Sequence, residues 1–167
     1  NDISVVYCSM AIEYSFTTKW KTPAPLDDVW EAIRLSLEWP LWWKDFISVT
    51  ESIPGDVNGI GSIRTYTLKS PTKYKLTFDL LLTHRIDRKL LKGTANGDLT
   101  GTGEWHFDVK DGFTFIECRW NVSTTKGWMN LLAFMLQPAF KYNHRLVMKN
   151  GARSLEKRLG VKVTDIS

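Results

Sequence analysis

The stretch LTGTGEWHFDVKDGFTFIECRWNVS, from Leu99 to Ser123, decides the fold. Gly101, Gly103, Trp105, Phe107 and Val109 share one side of an extended chain, while Thr100, Thr102, Glu104, His106 and Asp108 share the other. Successive side chains of a strand point to opposite faces, so this period of two predicts a strand with one apolar face. Lys110-Asp111-Gly112 interrupts it with the Asp-Gly pair that a tight hairpin favours. Alternation then resumes, with Thr114, Ile116, Cys118, Trp120 and Val122 set against Glu117, Arg119, Asn121 and Ser123. A sheet polar on one face needs a cover on the other.

Downstream, residues 126–160 are the segment long enough to supply that cover, and they read as one long helix. Phe140, His144, Met148, Ala152, Leu155 and Leu159 recur at three- and four-residue steps on one face. Arg145, Lys149, Arg153 and Lys157 follow an i, i+4 row on the opposite face. Pro138 predicts a kink or the end of a first helical segment, and Gly160 a stop.

Upstream, strands recur between turn signals. Asn96-Gly97 predicts a two-residue hairpin after a strand over residues 89–95. Tyr74, Leu76, Phe78, Leu80, Leu82 and His84 form one face of another strand, which Ser70-Pro71-Thr72 separates from a strand over residues 60–68. Residues 54–59 read as a loop and residues 46–53 as a strand. A helix is predicted over residues 26–37, with Val29, Trp30, Ile33 and Leu37 on one face, and a second short helix starts at Pro40. The first strand covers residues 12–21 and ends at Thr22-Pro23-Ala24-Pro25. The expected class is α+β: a seven-stranded curved antiparallel sheet around a long C-terminal helix, with two short helices after the first strand.

Composition agrees with one domain. The 167 residues, 43% hydrophobic and 24% charged, suffice for a real core and exclude disorder. That domain is expected over residues 10–160, with residues 1–9 an N-terminal extension and Met10 the native start. Eight tryptophans in so short a chain point to a Trp-rich core or an aromatic-lined cavity. A net charge of +4 does not demand nucleic acid. Cys8 and Cys118 form neither a CxxC pair nor a Cys/His cluster, so no metal site and no disulfide framework is expected. No stretch approaches the ~20 apolar residues that cross a bilayer. A cytoplasmic location follows as the expectation.

The order of elements resembles the helix-grip fold of the START-like and birch-pollen-allergen (SRPBCC) superfamily. It is most similar to the polyketide cyclase/dehydrase and lipid-transport group. The residues that carry this are Tyr14-Ser15-Phe16, Pro25-Leu26-Asp27-Asp28-Val29-Trp30 and Trp39-Pro40-Leu41-Trp42-Trp43-Lys44. Gly97 to Trp105, Pro138-Ala139-Phe140 and Asn143-His144 also fit. The resemblance implies a sheet gripping the last helix around a hydrophobic cavity. It implies no single activity, because members include enzymes, carriers and partner-binding modules.

Ligand-binding candidates come from the inward faces: Phe78, Leu80, Trp105, Phe107, Ile116, Cys118 and Trp120 on strands, and Trp42, Trp43, Phe140, His144 and Met148 on helices. The alternative is that they only fill the core. His144, on the apolar helix face, is either an acid–base or ligand-orienting group or a neutral imidazole held by a backbone carbonyl. Arg64 and Tyr66 share one strand face. They either polarise a ligand carbonyl or, if Ile63 points inward, face water. These three are the catalytic candidates. His84 is read as part of a solvated turn and His106 as exposed.

Binding or transport of a lipid, quinone or polyketide-like molecule is the leading expectation. A cyclase or dehydratase using His144, Arg64 or Tyr66 is the second, and a partner-protein module the third. The expected partner is a hydrophobic small molecule, with no cofactor, no nucleic acid and no stable membrane insertion. A monomer or weak homodimer is expected.

Overall fold

The computed structural model describes residues 13–69, 72, 73, 75–124 and 133–167, with the backbone alone over 133–136. Residues 1–9, Met10, the strand start at Ile12, the Ser70-Pro71 pair, Tyr74 and the helix start at Lys126 lie outside the described residues. The chain opens with β1 (Glu13–Thr22), followed by α1 (Leu26–Arg34), a 3-10 turn (Ser36–Glu38) and α2 (Trp39–Trp42). Six strands come next: β2 (Phe46–Ile53), β3 (Ile63–Lys69), β4 (Lys75–Ile86), β5 (Leu90–Gly97), β6 (Leu99–Lys110) and β7 (Phe113–Thr124). α3 (Ala133–Leu159) and a short β8 (Thr164–Asp165) complete the chain.

Neighbouring strands pair antiparallel in the order β2-β3-β4-β5-β6-β7-β1-β8. The sheet therefore has eight strands rather than the expected seven. The extra one pairs Lys21 with Thr164 and Trp20 with Asp165, and two residues are too few to show a period. This is the α+β helix-grip arrangement, with short helices after the first strand. α3 passes through Pro138 without a break, so the proline does not end a first segment. It stops at Gly160, whose φ of 70° and N–H bond to the Glu156 carbonyl form a left-handed cap.

Several boundaries differ from the sequence reading, each for a local reason. α1 ends at Arg34 because Leu35 adopts φ −79°, ψ 57°. The turn that follows buries Ser36 and leaves Leu37 42% exposed, so Leu37 does not share the buried face of Val29, Trp30 and Ile33. β3 starts at Ile63, because Gly59 and Gly61 take positive φ and the Gly61 N–H bonds the Leu82 carbonyl. Asn96-Gly97 forms no two-residue hairpin. Those residues continue to pair with Asp79 and Phe78 of β4, while β5–β6 pairing stops at Ala95 and Gly101. Asp98 holds this path, with its N–H on the Thr77 carbonyl and its carboxylate accepting the Thr77 N–H. The Asp111-Gly112 hairpin forms as read, with φ of 51° and 76° and Lys110 paired to Phe113. Val109, expected on the inner face, is exposed because β6 runs past the helical cover.

The inner faces carry the core. Trp20, Ile33, Trp43, Ile116 and Leu155 are fully buried. Trp43 donates its indole N–H to the Val147 carbonyl of α3 at 3.2 Å, tying the α2 segment to the helix. Trp30 meets Phe107 edge to face at 5.2 Å, seating α1 on β6. Gly101 has φ 147°, and a Cβ there would lie 2.1 Å from the Asn121 carbonyl oxygen. β6 and β7 approach more closely at this point than any side chain permits. Such glycines let a sheet bend around a helix.

Candidate functional site

An apolar cavity of about 130 Å³ lies between the inner sheet face, the α2 segment and α3. Alternation fixes which strand residues face it, and three- and four-residue spacing fixes which helix residues close it. Of the sequence candidates, Trp43, Phe78, Leu80, Trp105, Cys118, Trp120, Phe140, His144 and Met148 line it. Phe107 and Ile116 are buried in the core outside it. Trp42 packs behind Trp43 with ring centroids 5.7 Å apart and planes tilted by 32°, has the Arg158 guanidinium over its ring, and also lies outside it. Sequence reasoning missed Trp39, Phe46, Leu68, Leu76, Leu99, Asn143 and Val147. Leu76 was on a face already read as inward, and Asn143 sits beside His144, so both carried a usable signal.

A second chamber of about 300 Å³ shares Trp39, Tyr66, Leu80, Trp105, Cys118 and Trp120 with the first. Its lining adds Ser36, Glu51, Asp56, Arg64 and Arg85. The two chambers therefore adjoin through an aromatic wall, one apolar and one polar. Among the described residues, no charged side chain lines the apolar chamber.

Tyr66 and Arg64 meet at that wall. The Tyr66 hydroxyl lies 2.7 Å from Ser36 Oγ, and Arg64 Nη1 donates to the same Oγ at 2.9 Å. Arg64 Nε also donates to Glu51 Oε2 at 2.8 Å. Tyr66 is buried and faces inward, whereas the Arg64 side chain stays 24% exposed toward the polar chamber. Burial pushes the Tyr66 phenol up from its ordinary value, against the lowering effects of Ser36 and Arg64, so it is a protonated donor at neutral pH. Nothing in the sequence marked Ser36. Burial also pushes the Cys118 thiol up to about 12, with a smaller push from Glu117. That thiol carries no nucleophilic chemistry.

His144 projects from α3 and stacks on Phe16 of β1, with centroids 4.0 Å apart and planes 10° from parallel. Among the described residues its ring nitrogens have no hydrogen-bond partner, so the expected backbone carbonyl is not there. Burial lowers its pKa from 6.5 to about 4, and the imidazole is neutral at pH 7. In the unfolded chain the imidazole takes up its proton near 6.5. Between the two values the unfolded state binds more protons, so stability is full above pH 6.5 and falls as pH drops toward 4. That loss reaches up to about 3 kcal/mol. His144→Phe is expected to flatten this limb when urea midpoints are compared at neutral and acidic pH. Equal acid losses in the two proteins would place the imidazole in water.

The other histidines stand apart. His84 is exposed past a β-bulge, with Nδ1 3.0 Å from Thr83 Oγ1. His106, read as exposed, is half-buried, because Nε2 meets Glu104 Oε2 at 2.7 Å. Arg145, Lys149, Arg153 and Lys157 are all exposed on the outer side of α3. Among the described residues no group of three or more His, Cys, Asp or Glu gathers as a metal site. No helix among them is long and apolar enough to cross a membrane.

No protein-family model matches the sequence, and no curated protein matches it. Solved structures do match its shape. The Zhui aromatase/cyclase from Streptomyces sp. R1128 superposes with a TM-score of 0.66 at 17% identity, covering 89% of this chain and 93% of that one. A START superfamily protein from Mycobacterium smegmatis gives 0.65 at 12% identity, over 89% and 97% of the two chains. The di-domain ARO/CYC StfQ of the steffimycin biosynthetic pathway gives 0.64 at 16% identity, over 90% of this chain and 53% of its own. The chain thus spans about half the length of that di-domain protein.

Proposed function

We propose that this chain, which has the START-like (SRPBCC) helix-grip fold, binds a hydrophobic, aromatic small molecule in the chamber between its sheet and α3. The observation that carries this reading is the lining: among the described residues it is mainly aromatic and aliphatic, with no charged side chain and with Tyr66, Asn143 and a neutral His144 as its polar groups. Moving a ligand's apolar surface out of water into such a chamber gains ~25 cal/mol per Å². Edge-to-face and offset contacts from Trp39, Trp105 and Trp120 favour flat, unsaturated ligands over flexible chains.

A second reading is favoured by one observation, the contact of Tyr66 and Arg64 through Ser36. There Tyr66 would donate a hydrogen bond to a carbonyl oxygen, and the nearby guanidinium would stabilise the enolate formed as an adjacent proton leaves. The neutral His144 nitrogen would accept that proton. Aromatase/cyclases among the matched structures are consistent with such chemistry.

Native mass spectrometry of protein purified from its host, followed by extraction of any bound molecule, tests the first reading. A retained arene, lost on Trp120→Ala or Phe140→Ala, is the expected result. An empty protein that also ignores lipids, quinones and polyketides would sink it. If the second reading holds, Tyr66→Phe keeps the affinity for a poly-β-ketone but loses its turnover at least ~100-fold.

A further inference from the structure

We infer that the ligand carries a hydroxyl group, phenolic or enolic, which His144 and Asn143 hold at the α3 end of the apolar chamber. The inference rests on the reading of that chamber as a ligand site and specifies what enters it.

His144 and Asn143 are neighbours on α3 and both line the chamber. The imidazole is held in place, with one face on Phe16, which itself lies 6.0 Å from Phe140. Its edge nitrogens have no partner among the described residues, although the surroundings are otherwise apolar. A neutral imidazole has one N–H donor and one bare nitrogen acceptor. Asn143 Oδ1 already accepts the Thr72 hydroxyl at 2.5 Å. That bond orients the amide and leaves its N–H donors for the chamber.

The unfilled valences select the ligand group. A hydrocarbon would strip water from these groups and return nothing, which costs affinity. A carboxylate only accepts. It would leave the bare nitrogen unpaired, and among the described residues no cation lines this chamber to offset its own desolvation. An ammonium only donates, and would oppose the N–H groups. A hydroxyl can donate to the bare nitrogen of His144 and accept an N–H from Asn143, so it answers an acceptor and a donor together at no cost in charge. On a flat aromatic body that group is a phenol, or the enol of a conjugated ketone.

The test compares three probes of one shape: 2-naphthol, 2-naphthoate and naphthalene, titrated into the whole protein by calorimetry at pH 7. The expected result is 2-naphthol binding at least ~10-fold tighter than either other probe. His144→Phe, which preserves the stack on Phe16 and removes both ring nitrogens, is expected to bind 2-naphthol no tighter than it binds naphthalene. His144→Gln retains a donor and an acceptor and is expected to regain part of the preference. It also keeps the inference testable if the phenylalanine variant fails to fold. Equal binding of 2-naphthol and naphthalene by the wild type overturns the hydroxyl inference alone. So does a preference that survives in His144→Phe. Binding of none of the three overturns the ligand-chamber reading together with it.

Discussion

Gly101→Ala is expected to lower stability by about 3–4 kcal/mol. Two costs add. The φ of 147° lies where side-chain-bearing residues are rarely found, and holding a residue in such a region costs ~1–3 kcal/mol. The new Cβ would also sit 2.1 Å from the Asn121 carbonyl oxygen and 2.8 Å from Val122 Cα. Both are backbone atoms of β7, so no rotamer change relieves the clash and the β6–β7 ladder must open. Against this, alanine narrows the unfolded ensemble by ~0.4–1 kcal/mol, which is too little to reverse the sign. Each kcal/mol moves the midpoint of a chain this size by roughly 2–4 °C. A melting temperature about 10 °C lower is therefore expected by differential scanning calorimetry. An unchanged midpoint would mean that β6 and β7 stand further apart at Gly101 than described.

Gly103→Ala is expected to act on binding instead. Its Cβ would lie 2.1 Å from Trp120 Cζ3 and 2.4 Å from Cε3. Here the obstacle is a ring and not backbone, and the ring has somewhere to go. Trp120 borders both chambers, and the Phe78 ring is 5.5 Å away. Pushed off the glycine, the indole moves into the chamber. Overpacking of this kind costs ~1–2 kcal/mol of stability. Ligand affinity is expected to fall by about 100-fold, equivalent to ~3 kcal/mol, as read by calorimetry with an arene that the wild type binds. The two sites are coupled, so in a Trp120→Ala background the same substitution should change affinity little. A full additional loss in that background would show that Gly103 acts on the ligand by a route other than the indole.

The fold was legible wherever a period ran long enough. Twelve-residue β6 and β7 declared themselves by alternation and by the Asp111-Gly112 turn. The apolar face of α3 followed from three- and four-residue steps. What escaped was decided by partners distant in sequence. Asn96-Gly97 has hairpin chemistry, but Asp98 and Thr77 hold it against β4. Leu37 fits the helical face of α1, but the backbone leaves the helix at Leu35. The same limit applies to the candidate site. Period shows that Phe107 and Ile116 point inward but not their height along the strand. They sit beyond the chamber, while Trp105 and Cys118, one step away on the same faces, line it. For Arg64 and Tyr66 the sequence left the face open, and inward-facing Tyr66 decides it. Ser36 joins them from about thirty residues away, through a 3-10 turn that no local pattern announces.

The packing of the indoles has an optical consequence. Trp42 touches Trp43, Trp43 touches Trp20 and Trp39, and both of these touch Trp105, with ring centroids 5.2–6.2 Å apart throughout. At such separations ultraviolet excitation absorbed by one indole migrates to the others before it is emitted. Trp39, Trp43 and Trp105 border the apolar chamber. A conjugated guest that accepts energy from any one of them therefore drains the whole relay, and the protein's own emission dims without a label. The same aromatic density that shapes the chamber makes its occupancy visible in a fluorimeter.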